Sequence, residues 1–221
     1  QVMRLKENDE ITLVFDDGIK RLARVINVEA RRLELVEELA DNVELPVQVT
    51  IASGFPKGDK LEFVTQKVTE LGASQIWAFP ADWSVAKWDG KKLGKKVEKL
   101  EKIALGAAEQ SKRNHVPSIT LFEKKADFLA QFDQFDRIVV AYEESAKEGE
   151  SAALIQAVAG LEKGDKLLFI FGPEGGLSPA EVESFQAKGA VLAGLGPRIL
   201  RAETAPLYAL SAISVLLELK K

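Results

Sequence analysis

From Val47 onward, short apolar runs alternate with stretches whose apolar positions recur every three or four residues, and polar or glycine-bearing turns separate them. That alternation predicts parallel strands covered by helices on both faces. Strands are expected at 47–53, 75–79, 118–122, 137–142, 166–171 and 190–193. Leu61, Val64, Val68 and Leu71 share one helical face, with Asp59 and Glu62 as expected caps and Gly72 as the stop. Leu93, Val97, Leu100, Ile103, Ala104, Ala107 and Ala108 put one apolar stripe on a long helix and leave its lysines opposite. Shorter helices are expected near 126–132 and 152–158. A final helix opening at Pro206 is apolar nearly all round, through Leu207, Leu210, Ile213, Val215, Leu216, Leu217 and Leu219. Such a helix belongs either in a core or in a subunit interface.

The first forty residues follow a different pattern. Short alternating runs broken by Asp17-Gly18 predict a β-meander or small barrel, and the polar, proline-containing stretch 41–46 marks a boundary. The strands are too few to close a barrel and the chain opens at Gln1 without a methionine, so an absent amino-terminal piece is expected.

Two glycine-bearing turns, each following an apolar run and preceding a helix signal, mark where a ligand should sit. The first is Gly172, Pro173, Glu174, Gly175 and Gly176, followed by Ser178, Pro179 and Glu181 as a capping box. The second is the loop from Gly194 to Thr204, ahead of Pro206. Both would lie at the carboxyl ends of strands, where open α/β sheets bind ligands. Neither is a standard phosphate cradle: the first lacks the Lys-Ser/Thr pair, and Ile199 stands where a dinucleotide fingerprint needs its third glycine. Exposed backbone groups beside Leu195, Ile199 and Leu200 suit a flat adenine read by its edge, and a pair of plain left-handed turns is the competing reading.

Composition narrows the chemistry further. With no cysteine and one histidine in 221 residues, disulfides, thiolate metal sites and a histidine-dependent triad fall away, and no metal is expected. No apolar run is long enough for a membrane span and no signal peptide is evident, so a cytoplasmic location is the expectation. The net charge of −4 argues against whole-surface binding to nucleic acid, but residues 87–113 carry nine Lys/Arg against four acids. That patch either tracks phosphates or is a solvated helix face with internal ion pairs.

"GPEGG" followed by "LGPRILRAETA" closely resembles the SPOUT-class enzymes that methylate uracil N3 in 16S ribosomal RNA of the small subunit. "VMRLKENDEI", "KGDKLEFVTQKVTELG", "SVAK" and "AAEQSKRNHVP" resemble the family's other signatures in the same order, so the likeness covers essentially the whole chain. Two departures stand out, the absent piece before Gln1 and Trp83 where a basic residue is expected.

The resemblance implies a truncated PUA-like, RNA-binding barrel at 1–45 and an α/β SPOUT domain at 46–221 whose last segments thread into a trefoil knot. It also implies a homodimer and S-adenosyl-L-methionine as methyl donor. Carried onto this chain, Gly172, Glu174, Gly175, Gly176, Leu195, Gly196, Ile199, Leu200, Thr204 and Ala205 form the cofactor pocket. Arg201, Glu203 and Thr204 lie near the reacting centre, with Arg201 facing the charge that develops on the uracil oxygens and Glu203 as either a base or an ion-pair partner. Substrate contacts are expected from Arg4, Lys87, Lys91, Lys92, Lys95, Lys96, Arg113 and Arg198, the last with a structural or phosphate role. Glu109, Gln110 and Ser111 read as substrate contacts or, for the latter two, as a helix cap; His115 reads as a loop residue. The substrate is expected to be the assembled small subunit. A non-catalytic RNA-binding or ribosome-assembly factor, and an enzyme that methylates another position, are the rival readings.

Overall fold

The computed structural model describes residues 5–142 and 153–219. Two compact units are present: 1–44 with 112–115, and 45–111 with 116–221. The first unit holds an antiparallel meander of β1 (Glu10–Val14), β2 (Lys20–Asn27) and β3 (Arg32–Leu39). Asp17 closes the expected turn by accepting from the Ile19 N–H at 2.9 Å and from the Arg21 guanidinium. A second, longer-range tie is made by residues 112–115. The Asn114 amide donates to the Gly18 and Asp41 carbonyls, and its side-chain oxygen accepts from the Val43 N–H.

The second unit is a six-stranded, wholly parallel sheet in the order β6-β5-β4-β8-β7-β9. These strands are β4 (Gln48–Gly54), β5 (Gln75–Phe79), β6 (Ser118–Leu121), β7 (Arg137–Ala141), β8 (Lys166–Phe171) and β9 (Val191–Ala193). The helices are α1 (Lys60–Glu70), α2 (Gly90–Gln110), α3 (Lys125–Leu129), α4 (Ala153–Ala159), α5 (Pro179–Gln186) and α6 (Ala205–Ser214). The central strand β8 shows why its sequence is apolar throughout. Leu167, Phe169 and Phe171 enter a core with Val64, Val68, Leu210 and Ile213 on one face. Leu168 and Ile170 enter a second core with Phe79, Phe128, Phe132 and Phe185 on the other.

Local chemistry sets several element ends. The predicted capping box of α5 is complete, with Ser178 accepting from the Glu181 N–H at 3.1 Å and Glu181 accepting from the Ser178 N–H at 3.0 Å. At α1 the expectation fails, because the Asp59 side chain makes no capping hydrogen bond. The predicted helix near 126–132 is split into α3 and a 3-10 turn at Phe132–Gln134. At the end of α2 the Ser111 hydroxyl donates to the Ala107 carbonyl at 2.7 Å, which puts Ser111 in the capping place the sequence allowed.

The final helix divides its apolar residues between two surroundings. Leu210 and Ile213 are fully buried in the domain core, whereas Tyr208, Val215 and Leu219 are exposed at 41%, 52% and 71%. The α-helical hydrogen bonding ends at Ser214 and passes into a π-helical turn over Val215–Leu219. A fully buried Leu210 and Ile213 cannot form an outward interface; only the opposite side of the helix is available for that.

Candidate functional site

A cavity of about 660 Å³ opens over the carboxyl ends of β7, β8 and β9, within the size range of cofactor pockets. β8 feeds Phe171 into Gly172, and β9 leads into Leu195 and Gly196, so the two glycine loops form opposite walls. Between them lies the end of β7, with Ala141 and Tyr142 in the lining. Gly172 has no room for a side chain, since a Cβ there would fall 2.8 Å from the Gly176 carbonyl carbon and 3.0 Å from the Leu177 nitrogen. The loop therefore folds back on itself, and its backbone rather than a side chain forms the wall. Gly54 permits the same closeness from below: a Cβ at the end of β4 would meet Pro173 Cδ at 2.5 Å.

Most of the residues expected to hold a cofactor are brought together. Gly172, Glu174, Gly175, Gly176, Leu195, Gly196, Ile199, Leu200 and Ala205 all line the cavity. Thr204 does not line it; it is the residue before α6, with a helical backbone and no side-chain cap. Arg201 and Arg198 are exposed in the lining, and neither forms an ion pair among the described residues.

Glu203 does not line the cavity. Its carboxylate turns to Lys60, the first residue of α1, which sequence reading overlooked. Lys60 Nζ lies 3.0 Å from Glu174 Oε1 and 3.2 Å from Glu203 Oε2, so a single ammonium joins the first glycine loop to the second. The Lys57 N–H donates to Glu174 Oε1 at 3.1 Å and adds a backbone tie to the same carboxylate. Hydrogen bonding to Glu174, then to Glu203, raises Lys60 above the ordinary lysine range. Burial pushes Glu174 upward, but its own backbone N–H, Lys60 and the Lys57 N–H together hold it below the ordinary carboxyl range. The backbone N–H of Glu203, with Lys60 and Arg201 nearby, lowers that carboxyl as well. Both acids are thereby held as carboxylates, which makes Glu203 a weak proton acceptor and a natural ion-pair partner.

A second polar cluster fixes the first loop where it enters α5. Lys125 binds Asp82 and, at 2.6 Å, Glu181; the Ser178 hydroxyl donates to Asp82 Oδ2 at 2.6 Å. The Asp82 N–H donates to Glu181 Oε1 at 2.9 Å, although Glu181 lies almost wholly inside the protein. Hydrogen bonds from Lys125 and Ser178 hold Asp82 below the usual carboxyl range. For Lys125, burial works against the charge, and its two carboxylate partners more than offset it. A buried carboxylate satisfied in this way is costly to disturb, so the cluster gives the loop a rigid root.

The expected substrate contacts fall elsewhere and differ among themselves. Lys91, Lys92 and Lys95 are exposed on the first turns of α2, Lys87 is exposed ahead of it, and Lys96 lies 4.4 Å from the centre of the Trp88 ring. Arg113 does not fit the part expected of it. Its guanidinium is buried and paired with Glu44, which leaves no surface for a phosphate. His115 is exposed in the loop after α2, where its N–H donates to Glu44. Arg4 lies outside the described residues.

Residues 43–214 match the model of an RNA methyltransferase domain, and residues 1–38 match an RNA methyltransferase PUA domain. A ribosomal RNA small subunit methyltransferase E of Bacillus subtilis is 50% identical over 99% of this chain and 86% of its own length. One from Mycobacterium tuberculosis is 30% identical over 97% of this chain and 81% of its own. A crystal structure of a Neisseria gonorrhoeae protein of the same name, bound to S-adenosyl methionine, superposes with a TM-score of 0.77. It is 27% identical and covers 97% of this chain and 86% of its own.

Proposed function

We propose that this chain, which belongs to the RNA methyltransferase family, methylates N3 of a uracil in the 16S ribosomal RNA of the small subunit. The observation that carries this reading is the cavity between the two glycine loops, with a backbone wall at Gly172 and an unpaired Arg201 at its edge. The residues present fit S-adenosylmethionine. Gly172, Gly176 and Gly196 offer close backbone approach, Leu195 and Leu200 offer apolar faces, and the Neisseria gonorrhoeae relative holds the same molecule in its crystal.

S-adenosylmethionine, when bound, supplies an electrophilic methyl group to the uracil nitrogen and leaves as a neutral thioether. The protein's task is to align the base and to ease loss of the N3 proton. As that proton leaves, negative charge spreads to the two flanking carbonyl oxygens. Arg201, exposed and unpaired beside the cavity, is placed to stabilise it with a planar, permanently charged donor. Lys60 has its charge committed to Glu174 and Glu203, so it holds the loops rather than the substrate. On this reading no carboxylate acts as base and no metal is needed; the proton passes to solvent.

The lysines of α2 supply phosphate contacts, the first unit reads RNA as a PUA-like module, and the terminal segment forms the knot of the SPOUT class. Tyr208, Val215 and Leu219 line up along one exposed side of the last helical segment, which supports a homodimer formed through that side. Among the described residues no helix is long and apolar enough to cross a membrane, and a ribosomal substrate would place the protein in the cytoplasm. The test is nucleoside analysis of small-subunit RNA incubated with the purified protein and S-adenosylmethionine. The product expected is 3-methyluridine. A 2′-O-methyl nucleoside or a methylguanosine would move the activity to another position, and no methylated product would leave an RNA-binding factor.

A further inference from the structure

We infer that Trp83 is a stacking platform for an unstacked base of the RNA substrate; this rests on the methyltransferase reading of the adjoining cavity. Three observations converge on it. Trp83 lines the cavity yet is 49% exposed. Among the described residues no aromatic ring pairs with it and no cation lies over its ring. Trp77, by contrast, packs edge-on against Phe122, Phe128 and Phe135, and Trp88 lies between Phe55 and Lys96. Finally, the backbone on either side of Trp83 is immobilised. Asp82, itself exposed, is tied to Lys125 and to the buried Ser178 and Glu181, and the Ser84 N–H donates to the Ala81 carbonyl at 2.9 Å.

The root of the side chain is held too. Trp83 Cβ lies 3.1 Å from where a Gly175 Cβ would stand, so the absence of a side chain at Gly175 lets the tryptophan sit against the loop tip. A half-exposed ring with a fixed root is preorganised for a flat partner, because little further ordering is needed on binding. Two flat partners are conceivable at this cavity, the adenine of the cofactor and a base of the RNA. The gradient of exposure favours the base. Gly172, Gly176, Leu195 and Leu200 form the half-buried part of the lining, whereas Trp83 and Arg201 stand with Gly175 and Ile199 in its exposed part. A small ligand beds into the enclosed part, while a polynucleotide must reach in from the open edge. Stacking on an aromatic face is how single-stranded RNA bases are commonly held, at about 1–3 kcal/mol per base, or roughly five- to 150-fold in affinity.

The experiment compares the full chain with Trp83→Ala and Trp83→Phe. S-adenosylmethionine affinity is measured by calorimetry. Affinity for a single-stranded uridine oligonucleotide is measured over a salt series, and kcat/KM on isolated small subunits is measured alongside. Trp83→Ala should lose roughly five- to 150-fold in oligonucleotide affinity and in kcat/KM, with cofactor affinity within about twofold of the parent. The salt slope should stay unchanged, since stacking releases no counterions. Trp83→Phe should recover most of the loss, and indole fluorescence should be quenched by the oligonucleotide in the parent but not in Trp83→Phe. A parallel fall in cofactor affinity, equal losses for alanine and phenylalanine, or no loss for either would overturn the inference. The oligonucleotide arm needs no methyl transfer, so the stacking role stands or falls separately from the choice of uracil N3.

Discussion

Lys60 Nζ lies 3.2 Å from Glu203 Oε2, joining the start of α1 to a loop more than a hundred residues later in the chain. The same ammonium holds Glu174, so the two cavity walls depend on one lysine. Replacing Lys60 by methionine keeps the aliphatic stem and removes the charge. Cofactor affinity should fall by about fivefold, the upper end for partly exposed ion pairs, with the melting temperature little changed. The pH dependence gives a second reading. Glu174 and Glu203 sit below their ordinary values, so their contribution is complete above the usual carboxyl range and is lost as pH falls through the depressed values. In Lys60→Met the bridge is already absent, so the further loss of cofactor binding that the parent shows as pH falls through the depressed carboxyl values should shrink in the variant. Calorimetric titrations between neutral and acid pH measure both effects; superimposable profiles would dismiss the bridge.

Gly172→Ala tests whether the loop backbone forms the pocket. A Cβ placed 2.8 Å from the Gly176 backbone forces the loop apart, and the nearest atoms are main chain with nowhere to rotate. The variant should fold, because the strand beneath it keeps its pairing with β4 and β7. Its S-adenosylmethionine affinity should drop by more than tenfold. Unchanged affinity in a folded variant would move the cofactor elsewhere.

Arg201 and the α2 lysines separate chemistry from phosphate holding. Arg201→Lys should lower saturated turnover by about a hundredfold while leaving cofactor and RNA affinity largely intact, since a planar donor to the developing charge is lost. Neutralising Lys91, Lys92 and Lys95, all exposed, should do the reverse. RNA affinity falls and its salt dependence flattens by roughly one unit of slope per phosphate contact removed. Single-turnover methylation over a salt series reads both, and an Arg201 variant that loses only affinity would remove it from the reacting centre.

The last helix offers a matched pair of substitutions. Val215→Glu sits on the exposed side and should leave the fold intact while converting a dimer to monomers. Ile213→Asp buries an unpaired charge in the core of the parallel sheet and should prevent folding outright. Light scattering and circular dichroism distinguish the outcomes, and a monomeric parent protein would end the dimer reading.

Periodicity and turn chemistry are local properties, and what they determined is local. The parallel sheet, the helical faces, the capping box at Ser178 and the place of the two glycine loops at the carboxyl ends of β8 and β9 all followed from residues within a turn or a strand of one another. The π-helical turn did not, because Val215–Leu219 has an ordinary apolar composition with no signal for it. What the tertiary structure alone decided involves partners far apart in the chain. Lys60 is an unremarkable helix-start lysine until the fold brings Glu174 and Glu203 to its ammonium. Arg113 reads as one more cation in a basic stretch until Glu44, 69 residues earlier, buries it. Leu210 and Val215 are alike in sequence, yet one is sealed in the core and the other faces outward. Charge and hydrophobicity set what a side chain is able to do, but pairing energy depends on distance and burial, which exist only once the chain has closed.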